Sequence, residues 1–376
     1  GYAKKLSSGS YFIPVPKLNE SRSASFIDVN NDGHLDIFIS NGKRGGENNQ
    51  LFINQGDGTF AEDSNNLIVV DNKSSDGVTW GDVDNDGDLD VYVANWWDET
   101  NLFYLNNGKG EFSQQKTEAF SQTGYSETAS WADYDKDGDL DLYVTNSSLD
   151  GLNNKNFFIK NNGDGRFTLE ANENITRDFK NSRNVSWTDI DNDGDLDLFI
   201  ANESSTTNQL FLNNNGSFTE ATSGDLVTSA KSSMGCSWAD YDNDGDLDVF
   251  VTNLKEGNQL FNNQGNGNFQ LVSSNVSQTG SSFGSIWGDV DNDGDLDLFV
   301  ANADFNGNKV SSFFYLNNGD GSFTKVTTGP VATYSGGTFG AAFGDYDNDG
   351  DLDLVTANTT DAAETNALYR NLGMEN

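Results

Sequence analysis

Apolar residues fall in short runs separated by stretches rich in Asn, Gly and Asp, and four such segments return in the same order along the chain. The first segment ends on an aromatic: Phe26, Trp80, Trp131, Trp187, Trp238, Trp287 and Phe343. Two residues later comes a nonapeptide, cleanest as Asp82-Val83-Asp84-Asn85-Asp86-Gly87-Asp88-Leu89-Asp90. A β-rich run closed by Asn follows it, such as Leu198-Phe199-Ile200-Ala201-Asn202. After a loop of variable length comes a third run, such as Leu51-Phe52-Ile53-Asn54 or Phe314-Tyr315-Leu316-Asn317. A turn then leads to a fourth segment that starts on an aromatic, as in Gly319-Asp320-Gly321-Ser322-Phe323. Short apolar runs bounded by turn residues read as strands, and Asn-Gly or Gly-Asp-Gly supplies the positive φ of tight hairpins.

The nonapeptides start at Asp28, Asp82, Asp133, Asp189, Asp240, Asp289 and Asp345, so they lie 54, 51, 56, 51, 49 and 56 residues apart. Four strands per unit, repeated without helical periodicity, predict an all-β fold, a seven-bladed β-propeller with four-stranded antiparallel blades. An open β-solenoid would leave bare edge strands at both ends. Here the last unit supplies a third strand near Ala367-Leu368-Tyr369 and stops short of a fourth. Gly9-Ser10-Tyr11-Phe12 resembles the missing turn and strand, so a strand over about residues 9–16 is expected to complete the last blade and close the ring. No linker-like stretch divides the chain, which predicts one domain over 1–376.

The formal net charge of -38 would suggest self-repulsion, but 33 of the 59 acidic residues lie in the nonapeptides. The other 26 face 21 Lys and Arg, so the negative charge is local and nonspecific attraction to nucleic acid is excluded. Cys236 is alone, which excludes an internal disulfide. No apolar run is long enough to span a membrane, so no membrane insertion is expected, and a monomer is. Gly1-Tyr2-Ala3-Lys4-Lys5 lacks an apolar signal core, as in a mature chain or one whose targeting segment has been removed. His34, the only histidine, sits inside the first nonapeptide, which excludes triads and zinc sites built on histidine.

Oxygen ligands at positions 1, 3, 5 and 9, a Gly at 6 and a backbone carbonyl at 7 suit a hard divalent cation. Carboxylate and carbonyl oxygens with a high ligand number favour Ca²⁺ over Zn²⁺, copper or Mg²⁺. Up to seven ions are expected, one per blade. The first candidate site is Asp28, Asn30, Asp32, His34 and Asp36, with only three carboxylates and a weaker expected affinity. The others are Asp82, Asp84, Asp86, Asp88 and Asp90; Asp133, Asp135, Asp137, Asp139 and Asp141; and Asp189, Asp191, Asp193, Asp195 and Asp197. They continue with Asp240, Asp242, Asp244, Asp246 and Asp248; Asp289, Asp291, Asp293, Asp295 and Asp297; and Asp345, Asp347, Asp349, Asp351 and Asp353. The leucine at position 8, such as Leu196, is expected to anchor the loop in the core. A merely solvated acidic turn would leave four or five carboxylates repelling one another within nine residues.

Phe283-Gly284-Ser285-Ile286-Trp287-Gly288-Asp289 and Phe339-Gly340-Ala341-Ala342-Phe343-Gly344-Asp345, each running into the acidic loop, resemble FG-GAP/VCBS repeats. That family includes the integrin α-subunit head and many secreted bacterial proteins. The resemblance covers nearly the whole chain and implies a seven-bladed propeller with calcium in its blade hairpins and a leaning toward adhesion or carbohydrate binding. The Phe-Gly pair is missing from the first five repeats, so no family ligand residues carry across.

Strand order places the calcium loops and Asn/Gly turns on one face and the variable loops on the other, the expected recognition face. Trp96-Trp97 stands there, as a sugar-stacking or protein-docking patch or as a cover for a neighbouring blade. Lys43-Arg44, Arg177, Lys180 and Arg183 fall in loops of the same face, as ordinary solvated charge or as ligand contacts. Four residues before each repeated aromatic stand Arg22, Asp76, Glu127, Arg183, Met234, Phe283 and Phe339, placed by strand alternation on the aromatic's side near the channel mouth. The charged four form either neutralising pairs between blades or a polar funnel in which Asp76 and Glu127 serve acid/base chemistry.

The expected function is a calcium-stabilised extracellular binding module, secreted or at the cell surface, for a glycan or protein. The alternative is a polysaccharide-active enzyme, a lyase or hydrolase, using the charged funnel. A third reading is a propeller that only spaces other domains.

Overall fold

The computed structural model describes residues 10–11, 19–148, 155–170, 174–177, 179–265, 267–304, 308–359 and 365–373. The fold is all-β and built from repeated four-stranded antiparallel blades. In the first, Ser21–Ile27, Asp36–Asn41, Gln50–Asn54 and Phe60–Glu62 pair in chain order. The same plan recurs from first strands Ser75–Gly81, Ser126–Ala132, Ser182–Thr188, Ser233–Ala239, Thr279–Gly288 and Thr338–Gly344. Each nonapeptide joins a first strand to a second. The last unit contains Asp353–Asn358 and Ala367–Tyr369, and Ser10–Tyr11 pairs antiparallel with the latter through Ser10 opposite Tyr369. Of the closing strand expected over 9–16, only these two residues lie among those described.

Second strands such as Asp90–Asn95 are buried along their whole length, which is why they read as continuous apolar runs rather than alternating ones. The core lies between neighbouring blades. Ile27, Phe38 and Leu51 of the first pack against Val91, Val93 and Tyr104 of the second, with Trp80 set edge-on to Phe38 at 5.6 Å. The first and last units share a cluster in the same way, joining Ile37, Ile39 and Phe52 to Tyr346, Val355 and Leu368. Burying one such side chain is worth about 1.5–3 kcal/mol, so the seams hold much of the fold's stability.

Two features lie outside the sequence reading. Single helical turns at Leu67–Val69, Glu118–Phe120, Asn174–Thr176, Asp225–Thr228 and Pro330–Thr333 occupy crossovers between blades. Their Ile68, Phe120, Ile175, Leu226 and Val331 plug the seams, and a single turn is too short to show a helical period. Small ribbons also tie loops after second strands to the next crossover: Glu99–Thr100 to Thr123–Gly124, and Thr206–Thr207 to Ala230–Lys231.

Candidate functional site

The acidic loops share one hydrogen-bond pattern. In the second, Asp82 accepts from the backbone N–H of Asp86 and of Gly87, both at 3.0 Å, and Asp86 accepts from that of Asp88 at 3.0 Å. Position 4 takes a left-handed backbone in every copy, for example φ 60° at Asn85 and 59° at Lys136, and the following Gly87 stands at 91°. This winding gathers carboxylate oxygens within 4.8 Å of one another in Asp82, Asp84 and Asp86, in Asp133, Asp135 and Asp137, and in Asp189, Asp191 and Asp197. Asp240, Asp242 and Asp248 do the same, as do Asp289, Asp291 and Asp297. At position 3, Oδ1 of Asp135, Asp191, Asp242 and Asp347 is buried with no hydrogen-bond partner. A buried carboxylate oxygen without a donor is costly unless a cation faces it, so the donor set fits a hard divalent ion.

Position 9 has a second task. Asp90 is buried and accepts from the backbone N–H of Val83 at 3.0 Å and of Asn106 at 2.8 Å, pinning the loop to the third strand. Burial pushes its carboxyl up to about 7 against the opposing pull of those two bonds, and the equivalent Asp36 and Asp141 up to about 6 and about 8. The third loop departs slightly: Asp133 Oδ1 and Asp141 Oδ2 lack the bonds made elsewhere. Position 8 is a partial correction, because Leu196 is only half-buried and Leu247 is 37% exposed.

Side chains at position 4 reach the position-7 side chain of the next loop. Asn31 Nδ2 donates to Asp88 Oδ1 at 2.6 Å, Asn85 to Asp139 at 3.3 Å, Asn192 to Asp246 at 2.7 Å, Asn243 to Asp295 at 2.8 Å and Asn292 to Asp351 at 2.6 Å. Lys136 replaces the amide and pairs with Asp195 at 2.5 Å, and Asn348 meets His34. The Asn closing each third strand crosses the same seams: Asn106 Nδ2 donates to the Val29 carbonyl at 2.9 Å and Asn54 to that of Tyr346 at 2.8 Å. The sequence signal for both bridges is the repetition of Asn at these two places, which the hairpin and ligand readings alone do not explain.

On the variable-loop side, Trp96 and Trp97 meet at 4.4 Å between ring centroids, and Tyr125 joins them at 5.4 Å from Trp96. The Arg44 guanidinium lies 4.2 Å over the Trp97 ring. Trp97 and Asp98 take φ of 61° and 59°, held by a tight turn in which the Glu99 N–H donates to the Trp96 carbonyl at 3.3 Å. Lys43 contributes its carbonyl to Ser74 Oγ at 2.5 Å, and Lys180 donates to the Thr207 carbonyl at 3.4 Å.

First strands lie beside first strands of adjoining blades, and each carries a β-bulge at the position four before the aromatic. The strict alternation expected there therefore breaks. The charged residues nonetheless meet. Arg183 Nη1 lies 2.5 Å from Glu127 Oε1 and its Nε 2.6 Å from Glu203 Oε2, while Ser147 also donates to Glu127. Glu203 is the member the sequence reading missed. Burial raises the Asp76 carboxyl above its ordinary range, the Glu127 charge adds to the rise, and Arg22 and Arg183 oppose it.

The FG-GAP-like repeat model matches residues 28–93, 82–144, 148–200, 189–251, 240–300 and 289–356. The chain belongs to the FG-GAP repeat family. Among curated relatives, cartilage acidic protein 1 of Xenopus tropicalis is 29% identical over 213 residues, 54% of this chain and 32% of that protein. The Homo sapiens protein is 28% identical over 205 residues, 52% and 30%. The match thus spans about a third of these relatives' length. Similar solved structures include BBS1N in complex with ARL6DN, at TM-score 0.58, 11% identity and coverage of 99% and 100%. YCF48 bound to D1 peptide has TM-score 0.58, 8% identity and coverage of 98% and 96%. An Agrocybe aegerita lectin recognising non-reducing terminal N-acetylglucosamine has TM-score 0.54, 20% identity and coverage of 81% and 79%. At these identities the likeness is one of fold, a β-propeller.

In this FG-GAP protein the glycine after the bulge has a steric reason. A Cβ on Gly77 would lie 2.4 Å from the Glu127 carbonyl oxygen, and one on Gly340 would lie 2.6 Å from that of Arg22. The preceding Phe283 and Phe339 rings pack at 4.2 Å, and the Arg22 guanidinium covers Phe339 at 4.6 Å.

Proposed function

We propose that this chain is a single-domain, seven-bladed ring closed by its N-terminal strand. It holds Ca²⁺ in its acidic loops and binds an extracellular glycan through the variable-loop face, with a protein ligand as the other outcome. Support for closure comes from Ser10 opposite Tyr369 and from the Asn54 and Asn348 bridges between the two ends of the chain. Side chains at positions 1, 3, 5 and 9 would hold the ion, with the carbonyl of position 7. The metal supplies positive charge that offsets carboxylate repulsion and cross-links the loop. Such oxygen-rich sites suit the millimolar calcium found outside cells.

The observation that carries the recognition reading is the cluster of Trp96, Trp97, Tyr125 and Arg44. The tight turn that sets Trp97 at φ 61° fixes where its ring lies. Aromatic faces beside a guanidinium suit the C–H faces and hydroxyls of a sugar. The enzyme reading is less well supported, because Glu127 is engaged by Arg183 and Ser147 rather than free for proton transfer. A glycan array probed with the wild type and with Trp97→Ala tests the proposal: sugar binding that the variant loses supports it. No binding on the array, together with no partner from surface extracts, overturns it.

A further inference from the structure

The residue before the Asn that closes each third strand takes two chemical forms. It is apolar at Ile53, Leu105, Leu212 and Leu316, and polar at Lys160, Asn262 and Arg370. The division follows position 2 of the same unit's acidic loop, which is Val or Ile beside the apolar residues and Tyr134, Tyr241 or Tyr346 beside the polar ones. The tyrosine ring reaches toward the next blade, as Tyr134 does in stacking on Phe218 at 5.6 Å, and the polar side chain lies between it and the loop's carboxylates. The Lys160 ammonium contacts Asp135, lies 3.5 Å from Asp137 Oδ2 and stands 5.5 Å from the Tyr134 ring. Arg370 Nε lies 2.5 Å from Asp347 Oδ2, and Nη2 lies 3.1 Å from Asp349 Oδ2. In the fifth unit Asn262 makes an uncharged version of the contact, donating to Asp242 Oδ2 at 2.7 Å.

Lys160 and Arg370 thus set a protein cation on positions 3 and 5 of the third and seventh loops, whereas Lys136 meets the fourth loop at position 7. A divalent ion entering either loop must displace that cation from two of its own ligands or bind beside it against charge repulsion. Both routes cost affinity, and both side chains are only partly exposed, at 27% for Lys160 and 34% for Arg370, so water screens the repulsion incompletely. The same contact relieves carboxylate repulsion when no metal is bound.

Resting on the calcium reading above, we infer that Lys160 and Arg370 are tethered counter-ions. They make the third and seventh loops low-affinity Ca²⁺ sites, about tenfold or more weaker than the second and fifth. They also hold those two loops together when calcium is scarce.

The test titrates CaCl₂ into chelator-stripped full chain by calorimetry, comparing wild type with Lys160→Leu and Arg370→Leu. Leucine already occupies the equivalent place at 105, 212 and 316. Each substitution is expected to move one ion into the tight class and to lower the melting temperature of the calcium-free protein. Lys160→Gln, which keeps a hydrogen-bond donor without the charge, is expected to raise the tight count in the same way. An unchanged tight count in all three variants, each with a wild-type circular dichroism spectrum in calcium, overturns the inference while leaving the calcium reading standing. No calcium binding by the wild type at millimolar concentration overturns the calcium reading itself.

Discussion

Asn348 and His34 are 314 residues apart in the chain, yet Nδ2 of one lies 3.2 Å from Nδ1 of the other. At the equivalent joints the acceptor is a carboxylate, as in Asn31 to Asp88 at 2.6 Å. The imidazole thus serves the seam between the first and last units in place of an aspartate. A neutral hydrogen bond of this kind is worth about 1 kcal/mol net. His34→Ala is expected to lower the urea unfolding midpoint by that equivalent, and His34→Asp to retain it. Equal midpoints for His34→Ala and wild type would remove the seam role.

The Arg183 cluster makes a larger demand. Its guanidinium is 15% exposed, between Glu127 at 6% and Glu203 at 19%. Removing one partner of a buried pair costs about 3–5 kcal/mol, mostly from the charge left behind. Arg183→Met is therefore expected to destabilise by about 3 kcal/mol in chemical denaturation, and the double variant Arg183→Met, Glu127→Gln to recover part of that loss. Additive effects would show that the two groups do not interact.

Asp76 yields a pH prediction of definite sign. Its carboxyl is held above its ordinary value of 3.8, chiefly by burial, so the fold favours the protonated form. The stabilisation from that proton is complete below the ordinary value and is lost as pH rises through the folded one. Asp76→Asn mimics the protonated group at every pH. Its melting temperature relative to wild type is expected to be more favourable at pH 8 than at pH 5. The opposite order would mean that Asp76 is stabilised as the anion.

The repeat, the strand order and the acidic loops were legible because each rests on local chemistry written seven times. The Phe or Trp before each loop and the Asn ending each second strand recur at constant offsets, and those offsets are strand positions. The bridges between blades were less legible. Asn106 reaches the Val29 carbonyl across 77 residues, and nothing local in either segment marks that contact. The break in alternation at the charged positions was hidden for a different reason. A bulge between Ser75 and Val78 shifts the register by one residue, and a single inserted residue is invisible to an alternation count. Glu203 escaped notice because it follows the second strand as an ordinary loop acid, and only the fold carries it to Arg183.

Calcium binding to the acidic loops is the claim on which the rest depends, and a thermal melt of the full chain in millimolar CaCl₂ and again in excess EDTA tests it most directly. An ion present at about 100 times its dissociation constant stabilises the fold by about 2.7 kcal/mol per site, so several sites together should dominate the stability. The expected result is a sharp fall of the midpoint in EDTA that added calcium restores. An unchanged midpoint would contradict the account.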